Sequence, residues 1–336
     1  MTGAAGFIGA HIVDTLRAAG DEVRSLDRET VARTSADADV VIGDITDATT
    51  VDRALRGVDA VCHQAAKVGL GVDFGDAVGY VRDNDLATAT LLRAMHAARF
   101  EGPLVLASSM VVYGEGRYRC AFDGVVAPGP RAAADLDTGR YEPPCPECGR
   151  ALTPEAVPET ARLDPRNVYA ASKVAQEHLA AAFAREHPAV TVTTLRYHNV
   201  YGPGMPRNTP YAGVAAIFAD ALVSGRAPRV FENGGQLRDF VHVHDVATAN
   251  LLALRAGAAG AFNVASGTPR RLLDMADAIA DAFGPDAPRP EVVGGWRAGD
   301  VRHVFASPDR ARVELGFSAR VDFRAGMRDL ALGLSH

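Results

Sequence analysis

Three glycines at regular spacing, Gly3-Ala4-Ala5-Gly6-Phe7-Ile8-Gly9, run directly into an apolar stripe of Ile8, Ile12 and Leu16 that Gly20 ends. A glycine loop opening a helix lets the backbone approach a pyrophosphate, which then rests on the helix N-terminus. Such a loop belongs at the carboxyl end of a strand in a parallel sheet covered by helices. The rest of the chain supports that architecture. Strand-like stretches at 22–27, 38–42, 60–66, 104–108 and 191–197 alternate with helical ones. Their ends carry Asp27, Asp44, Ala65, Ser109 and Asn199, where ligands sit in doubly wound sheets. The expected class is α/β, a Rossmann-like doubly wound parallel sheet. One departure is plain: only Met1 and Thr2 precede the loop, so the first strand is expected to be missing, and an upstream apolar strand would supply it.

Bulk properties narrow the function. The 336 residues, 48% hydrophobic, suffice for a large core. A formal charge of −6 argues against nucleic acid. No apolar run is long enough for a bilayer, and no signal peptide precedes the loop. Of the four cysteines, three cluster in one segment, unlike a secreted disulfide framework. A cytoplasmic protein without membrane or nucleic-acid partners is expected.

The loop residues Gly3, Gly6, Phe7, Ile8 and Gly9 are the expected cofactor cradle. Asp27 lies about twenty residues further on, where a carboxylate takes the adenosine ribose hydroxyls. It favours NAD over NADP, although Arg28 beside it offers a partner for a 2′-phosphate. Asp44 either accepts from the adenine amino group or caps the next turn. Tyr169 and Lys173 stand four apart in a helical stretch and so share a face. An ammonium there lowers a phenol's pKa and makes it a general base for an alcohol or sugar hydroxyl.

Together these motifs resemble the extended short-chain dehydrogenases/reductases, in particular the nucleotide-sugar epimerase/dehydratase group. The resemblance rests on the glycine loop, Gly43-Asp44-Ile45, His63-Gln64-Ala65-Ala66, and Asn84 opening a helix. It continues through Ser108-Ser109 with Val112-Tyr113-Gly114, Tyr169 to Lys173, and the stretch from Arg196 to Gly204. Arg238-Asp239-Phe240, Asn263 to Gly267, and Arg297-Ala298-Gly299-Asp300 complete it. The resemblance implies Tyr169 as base, Lys173 on the nicotinamide ribose and Ser109 bonded to the reacting sugar oxygen. It implies cofactor contacts at Ile45, Ala65, Ala66 and Asn84. Asn199, Arg238, Arg297 and Asp300 match substrate positions, and guanidinium forks suit a diphosphate. Tyr211 lies in a segment similar to the pocket of UDP-sugar 4-epimerases. Arg207 is close to where relatives acting on UDP-glucuronate place a carboxylate-binding arginine. Members that dehydrate or decarboxylate carry an acid just after the serine; Met110 and Val111 stand here. The implied activity is NAD-dependent 4-epimerisation of a UDP-hexose or UDP-hexuronate by a homodimer. The alternatives are a nucleotide-sugar 4-ketoreductase and a non-catalytic NAD- or nucleotide-sugar-binding protein.

The expected organisation is a Rossmann domain at 1–114, an insertion at 115–160 and the Rossmann domain again at 161–205. A smaller substrate lobe follows at 206–336, with 239–265 returning to the Rossmann domain. The insertion is rich in Pro, Gly, Arg and Cys and shows no clear periodicity. Its Cys145-Pro146-Glu147-Cys148-Gly149 has zinc-knuckle spacing, and Cys120 with Asp123 offers a second half. One structural zinc is the expectation, with Asp123, a His or water as fourth ligand. The alternative is free thiols on an irregular loop. Cys62 and His63 read as structural, and His242 and His244 as strand residues.

Overall fold

The structure, a computed structural model, describes residues 1–29, 39–69, 74–207, 213–297 and 299–333. Its main sheet is parallel. Val40–Ile42 pairs with Ser25–Asp27, and Val61–His63, Leu104–Ser109, Val192–Tyr197 and Gly260–Val264 follow one another across it. Thr2 joins the two halves through parallel bridges to both Leu26 and His63. Backbone bonds from Leu26 N to Met1 O (2.7 Å) and from Thr2 N to Cys62 O (3.0 Å) fix this rung. The central position, expected to lack a strand, is thus paired on both sides by the residues that lead into the glycine loop.

Strands buried on both faces read as continuous apolar runs rather than alternating ones, as Leu104–Ala107 does; Val192–Tyr197 is buried throughout although it carries Thr193, Thr194 and Arg196. On one face Ile12 and Leu16 of the helix Phe7–Ala18 pack with Val246, Ala249 and Ala253 of the helix Val243–Ala256. The other face is covered by Ala87–Ala97 and Val168–Glu186, with Leu91, Met95 and Ala180 in its core. His244 lies in the helix Val243–Ala256, not in a strand; only His242, the last residue of Leu237–His242, does. A third apolar cluster, built on Phe218, Phe240, Ile279 and Leu330, gathers the helices Val214–Val223, Leu272–Phe283 and Phe323–Leu332.

The Cys-rich insertion is not irregular. Arg117–Cys120 pairs antiparallel with Gly124–Val126 and with Thr153–Glu155 in a 3-stranded sheet. Tyr118 and Cys120 point inward, and Arg117 and Arg119 meet Glu155 on the outer side. This two-residue alternation is present in the sequence but too short to distinguish from a loop. Among the described residues, no helix is long and apolar enough to cross a membrane.

Candidate active site

Gly3 has a φ of +68°, and a Cβ there would lie 2.6 Å from Ala65 N. A Cβ on Gly9 would lie 1.9 Å from Gly3 O. Both positions therefore require glycine, and the loop is drawn tight against the strand end and its own helix. Gly6 is the N-cap of a 12-residue helix and offers no side chain to the first-turn amides, which leaves the Phe7 and Ile8 N–H groups open to an anion. Asp27 Oδ2 accepts from Ala5 N at 2.8 Å, so the acidic strand end and the loop are fixed together.

Beside them Asp44 accepts from Thr46 N (2.8 Å), Thr46 Oγ1 (2.8 Å), Arg28 and Arg82 (2.8 Å). Burial would raise its pKa, but Thr46 and Arg28 outweigh it and hold the carboxyl at about 2. Arg28 also bridges to Asp83 at 2.8 Å. Its guanidinium is engaged by two carboxylates, leaving less of it for the 2′-phosphate that the sequence made conceivable. Ile45 is buried in the core of this half. Ala65 and Ala66 follow the strand Val61–His63, with Ala65 N bonded to Thr2 Oγ1 at 3.1 Å.

Asn84 does not open a helix. It sits in a π-helical turn, Val81–Leu86, inside a longer helical run. Its amide takes Lys67 N at 2.7 Å and reaches Lys67 O and, at 2.8 Å, Ser172 Oγ on the helix Val168–Glu186. These bonds give it a bracing role between the post-strand loop and that helix.

Ser109 ends the strand Leu104–Ser109, and its hydroxyl, which accepts from Val111 N at 3.4 Å, acts on the Tyr169 phenol to lower its pKa. Tyr169 lies in the first turn of Val168–Glu186, whose start is set by the Asn167 side chain accepting from Ala170 N at 2.9 Å. Lys173 is buried one turn on and donates to Ala107 O at 3.0 Å. The expected lowering of the phenol's pKa is overturned for the site as it stands: burial pushes it up to about 12, and only Ser109 opposes. Burial also holds Lys173 down at about 8, against the pull of Glu177 and Asp85. The reason is common to both. Each group is desolvated, and the ammonium is directed at a carbonyl rather than at the phenol.

The sequence reading did not single out several residues here. Tyr80 is fully buried with its ring 5.9 Å from that of Tyr169. Glu177 makes a two-pronged pair with Arg196, at 3.0 and 2.7 Å, and accepts from Ser108 Oγ at 2.5 Å. Glu177 follows Lys173 by four residues, as Lys173 follows Tyr169, so the shared helix face was a signal for it. The network ties the helix to the strand that carries Ser109.

On the other side, Asn199 opens the strand Asn199–Tyr201, and its Oδ1 is buried with no hydrogen-bond partner among the described residues. Among the described residues Arg238 has no carboxylate partner at contact distance; it donates to Leu237 O (2.8 Å), Arg302 O (2.9 Å) and Val301 O (2.7 Å). Burial lowers its pKa, with Asp300 opposing. Arg297 is exposed, over the Phe231 ring at 4.7 Å. Asp300 O accepts from Arg131 at 2.8 Å. Arg207 is 3.8 Å from Asp220. Tyr211 lies outside the described residues. In the insertion, Cys120, Asp123, Cys145 and Cys148 come together, their ligand atoms all within 4.8 Å of one another.

A parallel sheet with a glycine phosphate loop and a Ser–Tyr–Lys set defines a dinucleotide-dependent enzyme of the extended short-chain dehydrogenase/reductase type. The chain belongs to the NAD dependent epimerase/dehydratase family, whose model matches residues 1–131 and 145–265. It is 32% identical to a dTDP-L-rhamnose 4-epimerase of Burkholderia thailandensis, over 98% of this chain and 93% of that protein. It resembles the crystal structure of a Thermus thermophilus UDP-glucose 4-epimerase in complex with NAD, at a TM-score of 0.79 and 30% identity, covering 99% of this chain and 97% of the other. A Thermotoga maritima UDP-glucose 4-epimerase with UDP-glucose gives a TM-score of 0.81 at 27% identity and the same coverage.

Proposed function

We propose that this protein is a cytoplasmic, homodimeric, NAD-dependent epimerase acting at C4 of a nucleotide sugar. One observation carries the reading: Ser109, at the end of a strand, acts on the buried phenol of Tyr169, which stands one helical turn from the buried Lys173 that donates to Ala107 O of that same strand. The cradle fits NAD. Gly3 and Gly9 leave no room for side chains, the first-turn amides of Phe7–Ala18 are open, and Asp27 closes the ribose side. Lys173 and Tyr169 would flank the nicotinamide ribose, and Asp44, Ile45, Ala65 and Ala66 the remainder. Bound NAD supplies reversible hydride transfer, so that a transient 4-keto sugar is formed and reduced again without net consumption, and its oxidised ring carries a positive charge that favours the phenolate.

Within that frame Tyr169 removes the proton of the C4 hydroxyl and later returns one, while Ser109 hydrogen-bonds the same oxygen. Lys173, with a pKa of about 8, keeps most of its charge at neutral pH. Met110 and Val111 offer no acid for dehydration. Asn199, Arg238, Arg297 and Asp300 take the diphosphate and nucleoside, and Arg207 is the further substrate residue. UDP is favoured by the pocket segment, and a hexose or hexuronate fits this reading. The likeness to the rhamnose epimerase supports a dTDP-6-deoxyhexose as the second substrate reading. A single zinc in the insertion is structural and takes no part in the chemistry. The homodimer is supported by an open groove of about 340 Å³ lined by Leu92, Leu179, Ala182 and Phe183, between the helices Ala87–Ala97 and Val168–Glu186.

Ligands released on denaturing the purified protein test the reading. NAD with a UDP- or dTDP-sugar is expected. A protein that neither retains nor binds NAD contradicts it.

A further inference from the structure

We propose that Cys120, Asp123, Cys145 and Cys148 hold one zinc ion, and that this ion locks residues 124–144 against the nucleotide-binding segment and so sets nucleotide affinity. The geometry of the four donors comes first. Cys120 Sγ is 3.5 Å from Cys148 Sγ and 3.1 Å from Asp123 Oδ2; Cys145 Sγ is 3.2 Å from the same oxygen. A tetrahedral zinc with ordinary Zn–S bonds separates its sulfurs by about 3.8 Å. A disulfide needs about 2 Å and leaves the carboxylate unexplained. Three thiolates and one carboxylate suit zinc. Four protein donors close the coordination shell, which makes the site structural.

Both halves are built alike. Cys120-Ala121-Phe122-Asp123-Gly124 and Cys145-Pro146-Glu147-Cys148-Gly149 share the spacing of two ligands followed by glycine. Gly124 and Gly149 have φ of +73° and +71°, and a Cβ on either would meet nothing within 4 Å. Glycine is there for the left-handed backbone that turns the chain after the second ligand, not for space. Phe122 N donates to Cys120 Sγ at 3.5 Å, as an amide does to a ligating sulfur. Repetition of one turn around one point, from segments far apart in sequence, is the pattern of a paired metal knuckle.

Glu115 and Tyr118, before the first knuckle, accept from Arg302 N and His303 N, and the stretch between the knuckles adds three further anchors. Arg131 pairs with Glu232 at 2.8 Å and donates to Asp300 O. Asp137 accepts from Trp296 Nε1 at 2.9 Å. Glu142 bonds Arg302 Nε (2.7 Å) and His303 Nε2 (2.8 Å). These three residues hold 296–303, whose carbonyls at Val301 and Arg302 in turn hold Arg238. The family model passes over 132–144, so Asp137 and Glu142 lie outside the part of the chain that the family model matches. Leu136, Pro128 and Pro143 are the buried apolar residues among 124–144, too little to order the loop by themselves. Metal-binding free energy would order it instead. The nucleotide half of the proposal rests on the function proposed above; the metal half does not.

The test compares protein purified without chelator with Cys145→Ser/Cys148→Ser and with Asp123→Cys. Elemental analysis is expected to give one zinc per chain for wild type and Asp123→Cys, and none for the double variant. Titrations with UDP and with dTDP are expected to show the favoured nucleotide bound about 10-fold or more weakly by the double variant, with its NAD affinity within about twofold. Protease is expected to cut within 124–144 only in the double variant. Wild type that stays metal-free after reconstitution with zinc under reducing conditions overturns the site, and iron in its place overturns the assignment of the ion. Full zinc loss with unchanged nucleotide affinity overturns the coupling. If neither nucleotide binds wild type, the functional reading and the coupling fall together, and stoichiometry and protection still decide the metal.

Discussion

The proposed mechanism needs a proton to leave the buried phenol of Tyr169, and burial alone opposes that. The residue is useful as a base only when its partners favour the phenolate. Tyr169→Phe keeps the ring packed against Tyr80 and removes the acid–base group, so turnover should fall by about 10²–10⁴-fold with NAD and nucleotide affinities preserved. Steady-state rates and equilibrium titrations check this; a rate within a few-fold of wild type removes Tyr169 from the chemistry. Lys173 gives a pH signature. Its pKa falls from an ordinary 10.5 to about 8 in the folded protein, so between those values the unfolded chain binds more protons. Its contribution to stability therefore rises with pH across that window. Thermal melts of cofactor-free Lys173→Met and wild type should differ most in favour of the variant near pH 7, and least above the lysine's ordinary pKa of 10.5. A pH-independent difference contradicts the buried-amine reading. Spacing placed Tyr169 and Lys173 on one helix face, and the family resemblance added Ser109. Neither could report the direction of the phenol's shift, which depends on desolvation by residues distant in the chain, nor that Arg28 is engaged by Asp83 and Asp44.

The helix Val168–Glu186 is held by two devices of different strength. Asn167 caps its N-terminus, and Asn167→Ala should cost about 1 kcal/mol. The Glu177–Arg196 pair is buried, with side chains 8% and 6% exposed. Glu177→Ala would leave the guanidinium unpaired there and should cost about 3–5 kcal/mol. Urea unfolding of the two variants checks the ranking, and equal losses contradict it. The same logic explains what was legible in the elements. Leu104–Ser109 was readable because its first four residues form an unbroken apolar run, as in a strand buried on both faces. Arg117–Cys120 was not, because a strand of 4 residues in an antiparallel sheet is specified by its partners. His244 was misread because a His-x-His alternation at a strand-to-helix junction fits either period.

Across the whole molecule, the long-range architecture follows from the glycine loop and the alternation behind it, while the bracing of the substrate side does not. Arg302, Glu232, Glu142 and Arg131 are brought together from distant stretches of chain, and no local pattern connects them. The surface groove between Ala87–Ala97 and Val168–Glu186 carries the homodimer proposal. Leu179→Glu, placed in that groove, should convert a dimer to a monomer in sedimentation experiments; a wild-type monomer contradicts the proposed assembly. Epimerisation itself is observed by incubating the protein separately with UDP-glucose and dTDP-L-rhamnose, while NMR follows C4 and absorbance at 340 nm follows reduced cofactor. The expected result is a C4 epimer formed from one of them with no net absorbance change and no dependence on added reductant. Conversion that consumes NADH mole for mole, or the absence of any C4 epimer from either sugar with Tyr169 intact and NAD bound, would contradict it.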